Sequence, residues 1–133
     1  YWSWYGFDSR VEWCACFVSW CADQCGYINA GVFPKFASCG DGITHYFAPN
    51  NVYWSVASQG PYVPSPGNLI FFDWEHDGVQ DHVGIVEKYE NGVIYTIEGN
   101  TSNSVRERTY SVYSSDIFGF AFPDYVTKIQ YYA

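Results

Sequence analysis

Two hydrophobic periods divide the chain into two halves. From Trp13 to Gly26 apolar residues recur at helical spacing, and Gly26 stands where a glycine commonly ends a helix. Residues 27–67 are the least periodic, and we expect one or two short helices there, around Thr44–Phe47 and Asn51–Gln59. The first half therefore predicts helices, with the longest one nearest the start of the chain.

The second half has the pattern of short strands bounded by turns. Its segments are rich in β-branched or aromatic residues. Asn91-Gly92 stands between two of them, and this dipeptide is the strongest short-range signal for a β-hairpin. Helices followed by antiparallel strands indicate an α+β fold. With 133 residues and no repeat or linker, we expect a single domain over residues 1–133. Five strands are predicted: Leu69–Asp73, His82–Tyr89, Val93–Glu98, Ser104–Tyr110 and Ile117–Phe122.

Charge and hydropathy exclude several classes of function. The net charge is −8 with only 6 Lys and Arg residues, so the basic footprint that nucleic acids need is missing. The same acidity disfavours binding to anionic membrane surfaces. The chain has no run of about 18 apolar residues that could cross a bilayer. We expect a monomer with no nucleic-acid partner and no membrane insertion.

The cysteines crowd into the first third of the chain. There are five, so at least one stays unpaired in any disulfide scheme. Cys14, Cys21 and Cys25 share one face of the predicted helix, as small buried residues would. We interpret all the cysteines except Cys14 as core thiols: Cys16, Cys21, Cys25 and Cys39.

Three features in order favour thiol catalysis. Cys14 lies at the predicted helix start, where the backbone dipole favours the thiolate. His82 opens a predicted strand, and Glu98 and Asn100 stand two apart on the next, so that both point to one face. One of these two can hydrogen-bond the far nitrogen of His82 and fix the orientation of the ring. Nucleophile, base and orienting group follow one another as in papain-like thiol hydrolases.

Four ordered motifs carry a resemblance to a known family. They are Trp-Cys-Ala-Cys-Phe-Val-Ser-Trp at 13–20, Pro-Gly-Asn-Leu-Ile-Phe-Phe-Asp at 66–73, Asp-His-Val-Gly-Ile-Val at 81–86 and Ile-Glu-Gly-Asn-Thr at 97–101. Together they resemble the CHAP family of cysteine amidases and peptidases, which is related to the NlpC-type cell-wall peptidases. The resemblance covers most of the chain, from Trp13 to the region of Phe122. Asn68 stands where the family usually has aspartate, and we expect it to have a structural role in a turn.

The resemblance implies a papain-like α+β core, with N-terminal helices packed on an antiparallel sheet of about five to six strands. It implies cleavage of bacterial peptidoglycan, and it leaves open whether as an N-acetylmuramoyl-L-alanine amidase or as a stem- or cross-bridge endopeptidase. Carried over by motif, Cys14 is the nucleophile, His82 the base and Glu98 the orienting acid, with Asn100 as a further polar partner. Since no histidine follows His82, Glu98 must serve as the third residue.

Aromatic residues make up 22% of the chain and suit both a packed core and surfaces that stack on sugars or peptides. Trp13 and Trp74 flank the catalytic motifs and are candidates to line a substrate groove, with a core role as an equal alternative. Tyr5 is a candidate oxyanion donor beside the backbone N–H of Cys14, with aromatic packing as its alternative.

This chemistry needs no metal, and we expect no cofactor. The segment from Asp73 to Asp81 has acidic residues at positions 1, 3, 5 and 9 and glycine at position 6, as in the first part of an EF-hand loop. Gly84 stands where the EF-hand glutamate would be, so a solvated hairpin loop is the favoured interpretation. A zinc site on the cysteines and His45 is disfavoured because paired Cys-x₂-Cys spacing is missing. We interpret His45 and His76 as structural.

The alternative from another class is a catalytically silent module that holds wall glycopeptide in the same groove. The joint presence of a thiol, a histidine, a carboxylate and an amide in catalytic order argues against it. Because the chain begins at Tyr1 without methionine, we expect a domain of a larger modular protein, with wall-binding domains and any targeting signal elsewhere. The expected location is extracellular or wall-associated, in a bacterial or phage setting.

Overall fold

The computed structural model describes residues 14–31, 33–101 and 104–125, without the side chains of residues 100 and 101. Helix α1 spans Cys14–Gln24, and Gly26 follows it at φ 78°, the left-handed conformation that commonly ends a helix. Helix α2 spans Cys39–Gly42 and continues into a π-helical turn at Ile43–Phe47. The predicted long helix and the short one around Thr44–Phe47 are thus confirmed. Within the described ranges no helix is both long and apolar enough to cross a membrane.

Six antiparallel strands form one sheet in the order β1-β6-β2-β3-β4-β5. The five predicted strands correspond to β2 through β6, and their bounds differ by at most three residues from the prediction. The α+β class and the antiparallel sheet are therefore confirmed. The strands are β1 (Tyr53–Ser55), β2 (Leu69–Phe72), β3 (His82–Glu90), β4 (Val93–Thr101), β5 (Ser104–Ser111) and β6 (Ile117–Ala121).

The helix predicted over Asn51–Gln59 is wrong for its first half. Tyr53–Ser55 form strand β1 and pair with β6, and only Val56–Gln59, helix α3, is helical. Aromatic side chains are favoured in strands. Pairing with β6 also gives the backbone N–H and C=O groups of this segment hydrogen-bond partners within the sheet. A contact between distant segments therefore decides the conformation of this short stretch.

The predicted Asn-Gly hairpin joins β3 to β4 and is confirmed. Asn91 has φ 51° and Gly92 has φ 80°, the two left-handed conformations that a type I′ turn requires. The turn sets the register of the two strands, with Ile85 opposite Ile97. This register brings the end of β4 back beside the start of β3, where the catalytic candidates lie.

Both faces of the sheet are covered. Leu69 and Phe71 of β2 belong to the apolar cluster that includes α1 and α2. Ile70 and Phe72 point the other way, as alternation along a strand requires, and belong to a second cluster. All four residues of β2 are therefore buried, and the central strands form a packed support for the site.

Two polar residues of the motifs have structural roles. The Ser19 hydroxyl donates to the Phe36 carbonyl (2.9 Å) and accepts from the Phe36 N–H (3.0 Å), which ties α1 to the loop before α2. The Asn68 side-chain oxygen accepts from the Ser65 N–H (2.9 Å) and from the Tyr62 hydroxyl (3.2 Å). The structural role predicted for Asn68 is confirmed.

The predicted core thiols fall into three kinds. Cys16 and Cys39 are buried, Cys21 is half-buried and Cys25 is exposed, and none of them forms a disulfide. The prediction is wrong for Cys25 because α1 ends at Gln24, so the helical face assumed to bury it does not extend that far.

Candidate active site

Helix α1 and strand β3 bring Cys14 and His82 together. Cys14 is the first described residue of α1, and His82 is the first residue of β3. The His82 ring and the backbone N–H of Val83 lie close enough to the Cys14 sulfur to lower the pKa of its thiol. Cys14 and His82 are each 7% exposed, so little water surrounds the pair.

Strand β4 places Glu98 behind the histidine. Its neighbour Ile97 packs against α1, so alternation along the strand turns Glu98 to the other face of the sheet. Glu98 is 1% exposed, and its Oε1 lies 2.7 Å from Nε2 of His82. Since Nε2 is engaged by the carboxylate, Nδ1 is the ring nitrogen left to face the Cys14 thiol.

The second oxygen of Glu98 has its own donors. Thr96 Oγ1 donates to Oε2 at 2.5 Å, and the Tyr110 hydroxyl donates to the same atom at 2.7 Å. Burial raises the pKa of Glu98, but the hydrogen bonds from His82, Thr96 and Tyr110 outweigh burial and hold that pKa below its usual value. The group behind His82 is therefore a carboxylate, which favours a protonated ring.

A second thiol contacts the first. The Cys39 S–H donates to Cys14 and is the largest influence lowering the pKa of Cys14, to about 5, against the opposing effect of burial. Hydrogen bonding and charge from His82 act in the same direction. The pKa of Cys39 itself is raised, chiefly by its hydrogen bond to Cys14, so it stays a thiol and remains a donor. Cys14 is thus favoured as a thiolate at neutral pH.

His82 responds in the complementary sense. Burial alone would lower its pKa, but the hydrogen bonds and negative charges of Cys14 and Glu98 outweigh burial and raise the pKa to about 9. Between these two pKa values the pair is a thiolate beside an imidazolium. That ion pair is the reactive form of a thiol hydrolase.

The match to known families agrees with this geometry. The family model described as CHAP domain matches residues 4–100, which is most of the chain. This chain belongs to the CHAP domain family. Membership places it among peptidoglycan hydrolases that act at the cell wall. No curated protein and no solved structure matches the chain.

Trp74 lies beside the catalytic candidates of this CHAP domain. Its ring stacks on Phe72 with centroids 4.4 Å apart, and it stands 6.0 Å from the His82 ring. Tyr110 packs against both aromatic rings. Trp74 is nevertheless 41% exposed, so its outer face is open to a ligand next to the histidine.

Sequence reasoning missed or misinterpreted four residues of the site. Cys39 was interpreted as a core thiol, and Tyr110 carried no signal because it comes from a different strand. Thr96 could have been found, since it stands two residues before Glu98 and so shares its face. Gly84 appeared only as part of a motif, although a glycine inside a strand often marks a close approach.

Three predicted site residues lie outside what the structure describes. Tyr5 and Trp13 precede the first described residue, and the side chain of Asn100 is beyond the description. Their proposed roles stay predictions. Of the predicted catalytic set, the structure brings together Cys14, His82 and Glu98.

The acidic loop before β3 is organised by its own backbone. Carboxylate oxygens of Asp73, Asp77 and Asp81 lie within 4.8 Å of one another. The two oxygens of Asp73 already accept from the backbone N–H groups of Asp77 (3.2 Å) and Gly78 (2.8 Å). His76 Nε2 lies 2.8 Å from Asp116, which links the loop to the turn before β6. These contacts hold the loop together and fix its position relative to the sheet.

Proposed function

We propose that this CHAP domain hydrolyses an amide bond of peptidoglycan by nucleophilic attack of Cys14. The observation that carries the proposal is the buried Glu98–His82 pair beside the Cys14 thiol. The bond is either the N-acetylmuramoyl-L-alanine amide or a peptide bond of the stem or cross-bridge.

The first half of the reaction forms a thioester. The Cys14 thiolate attacks the carbonyl carbon, the carbonyl electron pair moves to oxygen, and the backbone N–H of Cys14 is a donor suited to that oxyanion. When the tetrahedral intermediate collapses, the C–N bond breaks and imidazolium His82 gives its proton to the leaving amine. Glu98 keeps the ring oriented through Nε2 and stabilises its positive form.

The second half regenerates the enzyme. Neutral His82 takes a proton from water, and the resulting hydroxide attacks the thioester carbonyl. The C–S bond breaks, the acid product leaves, and Cys14 returns as a thiolate beside protonated His82. Water is the one co-reactant that these steps consume, and both proton transfers pass through His82.

Substrate contacts are part of the proposal. Trp74 offers an exposed aromatic face beside His82, which suits stacking on a sugar or a peptide group. Trp13 is proposed as a second groove residue and Tyr5 as a second oxyanion donor, while Asn100 is proposed as a further polar partner of His82. The net charge of −8 gives no attraction to an anionic wall, so we propose that binding relies on short-range contacts or on other domains of a larger modular protein.

Digestion of purified peptidoglycan, followed by mass spectrometry of the fragments, tests the function. Wild type should release fragments and Cys14→Ala should not. The matched control is Cys25→Ala, which removes an exposed thiol beyond the far end of α1 and should leave activity unchanged. An amidase leaves free muramoyl lactyl groups, and an endopeptidase leaves new peptide ends. Equal cleavage by Cys14→Ala would show that Cys14 is not the nucleophile, and inactivity of wild type on several wall chemotypes would favour a binding module.

A further inference from the structure

The two oxygens of Glu98 have separate tasks. Oε1 faces Nε2 of His82 at 2.7 Å, while Oε2 receives the hydroxyls of Thr96 and Tyr110 at 2.5 and 2.7 Å. The two hydroxyl donors come from different strands, β4 and β5, which are held in register by their ladder. The hydroxyls of Thr96 and Tyr110 thus fix the plane of the Glu98 carboxylate independently of the histidine.

Burial makes these donors necessary. Glu98 is 1% exposed and Thr96 is fully buried, so little water can take the place of a missing donor. An ionised carboxylate in such surroundings persists only if its oxygens are hydrogen-bonded, and otherwise takes up a proton. A protonated Glu98 would no longer stabilise the positive form of His82.

The fit around Glu98 also limits its movement. A Cβ on Gly84 would stand 2.8 Å from Cγ of Glu98, so the side chain lies directly against the β3 backbone. Tyr110 is in turn held by ring contacts to Phe72 and Trp74 at 4.6 and 6.1 Å. The phenol therefore has a fixed place from which to donate.

We propose that Thr96 and Tyr110 are positioning residues which together keep Glu98 ionised and aimed at His82. Neither touches the reacting atoms, and both act through the carboxylate. The inference rests on the proposed function only for its activity measurements, because the state of the Cys14–His82 pair can also be read without peptidoglycan.

The test uses Tyr110→Phe and Thr96→Val, which remove one hydroxyl each and keep the shape. Each substitution removes one hydrogen bond to a charged carboxylate. We therefore expect each single variant to lower kcat roughly ten-fold and the double variant roughly a hundred-fold, with KM little changed. Thr96→Ser restores the donor and should recover most of the activity. Tyr89→Phe removes a half-buried phenol that packs against the same apolar cluster as Tyr110, and it should have no effect.

A second measurement follows the titration of the His82 ring by NMR. In the double variant Glu98 protonates more readily, His82 loses its stabilising charge, and the midpoint of the His82 titration should move down by about one pH unit. The midpoint should move equally in Glu98→Gln, and adding Tyr110→Phe to that variant should change nothing further. An unchanged midpoint in the double variant, or additive effects on top of Glu98→Gln, would overturn the proposal. If wild type cleaves no peptidoglycan, the proposed function fails, while the His82 titration still decides whether Thr96 and Tyr110 act through Glu98.

Discussion

Gly84 lies directly against Glu98, so closely that a Cβ on the glycine would stand 2.8 Å from Cγ of the glutamate. The two residues are on adjacent strands, and both follow the hairpin register that places Ile85 opposite Ile97. The missing side chain at Gly84 is what gives the buried carboxylate its space between the strand and His82. A glycine in the middle of a β-strand thereby belongs to the proposed catalytic arrangement.

Gly84→Ala should therefore lower both activity and stability. The added methyl group must displace Glu98 or the β3 backbone, and overpacking of this kind costs about 1–3 kcal/mol of folding free energy. Displacement of Glu98 from His82 should lower kcat by roughly ten-fold or more. Thermal unfolding and peptidoglycan digestion on the same preparation separate the two effects. A variant with normal kcat would show that the contact is not needed for orientation.

The activity of the CHAP domain should have a bell-shaped pH profile. Cys14 must lose its proton, which occurs above a pKa of about 5, and His82 must keep its proton, which holds below a pKa of about 9. The rate should rise through the first value and fall through the second. Measuring kcat/KM across this range checks the prediction.

Glu98→Gln is the control for the basic limb of this profile, the fall in rate at high pH. The charge of Glu98 raises the pKa of His82, so the neutral amide should move the basic limb to lower pH. A basic limb that stays in place would mean that another group sets it.

Cys39 should support the thiolate through its S–H donor. Cys39→Ala removes the donor, so the pKa of Cys14 should rise and alkylation at pH 6 should slow by several-fold or more. Cys39→Ser keeps an O–H donor and should lie between the alanine variant and wild type. Tandem mass spectrometry assigns the alkylation to Cys14 and separates it from Cys16, which lies in the same peptide. Cys16→Ala, which removes a fully buried thiol that packs against Ile85 and Ile97, is the matched control. An equal change in both alanine variants would point to a general effect on packing.

Trp74 should contribute to substrate binding and little to the chemical step. Trp74→Ala removes an exposed ring beside His82, and aromatic stacking of this kind is worth about 0.5–1.5 kcal/mol, or roughly two- to twelve-fold in KM. Trp74→Phe keeps an aromatic ring and should therefore retain part of the substrate binding. Tyr113→Ala removes an aromatic side chain that is 77% exposed elsewhere on the surface and serves as the control. A fall in kcat with unchanged KM would instead assign Trp74 to the support of His82.

The order of the elements and the residues of the candidate site could be read from local patterns. The helix over Cys14–Gln24, the five strands and the Asn-Gly hairpin each depend on residues close together in the chain. The same holds for the succession of Cys14, His82 and Glu98, because each lies within a short motif that is recognisable in the local sequence. Periodicity and turn chemistry act over a few residues, so one sequence suffices to detect them.

Contacts between distant segments were decided only by the tertiary structure. Strand β1 exists because it pairs with β6, and Cys39 became a partner of Cys14 because the loop after α1 folds back onto the helix. Tyr110 reaches Glu98 only through the register of β4 and β5. These choices depend on packing and hydrogen bonding across the sheet, and such interactions leave no periodic trace in the local sequence. The sequence by itself determined which chemical groups are present and in what order, whereas the folded sheet determined which of them meet and in which ionisation state.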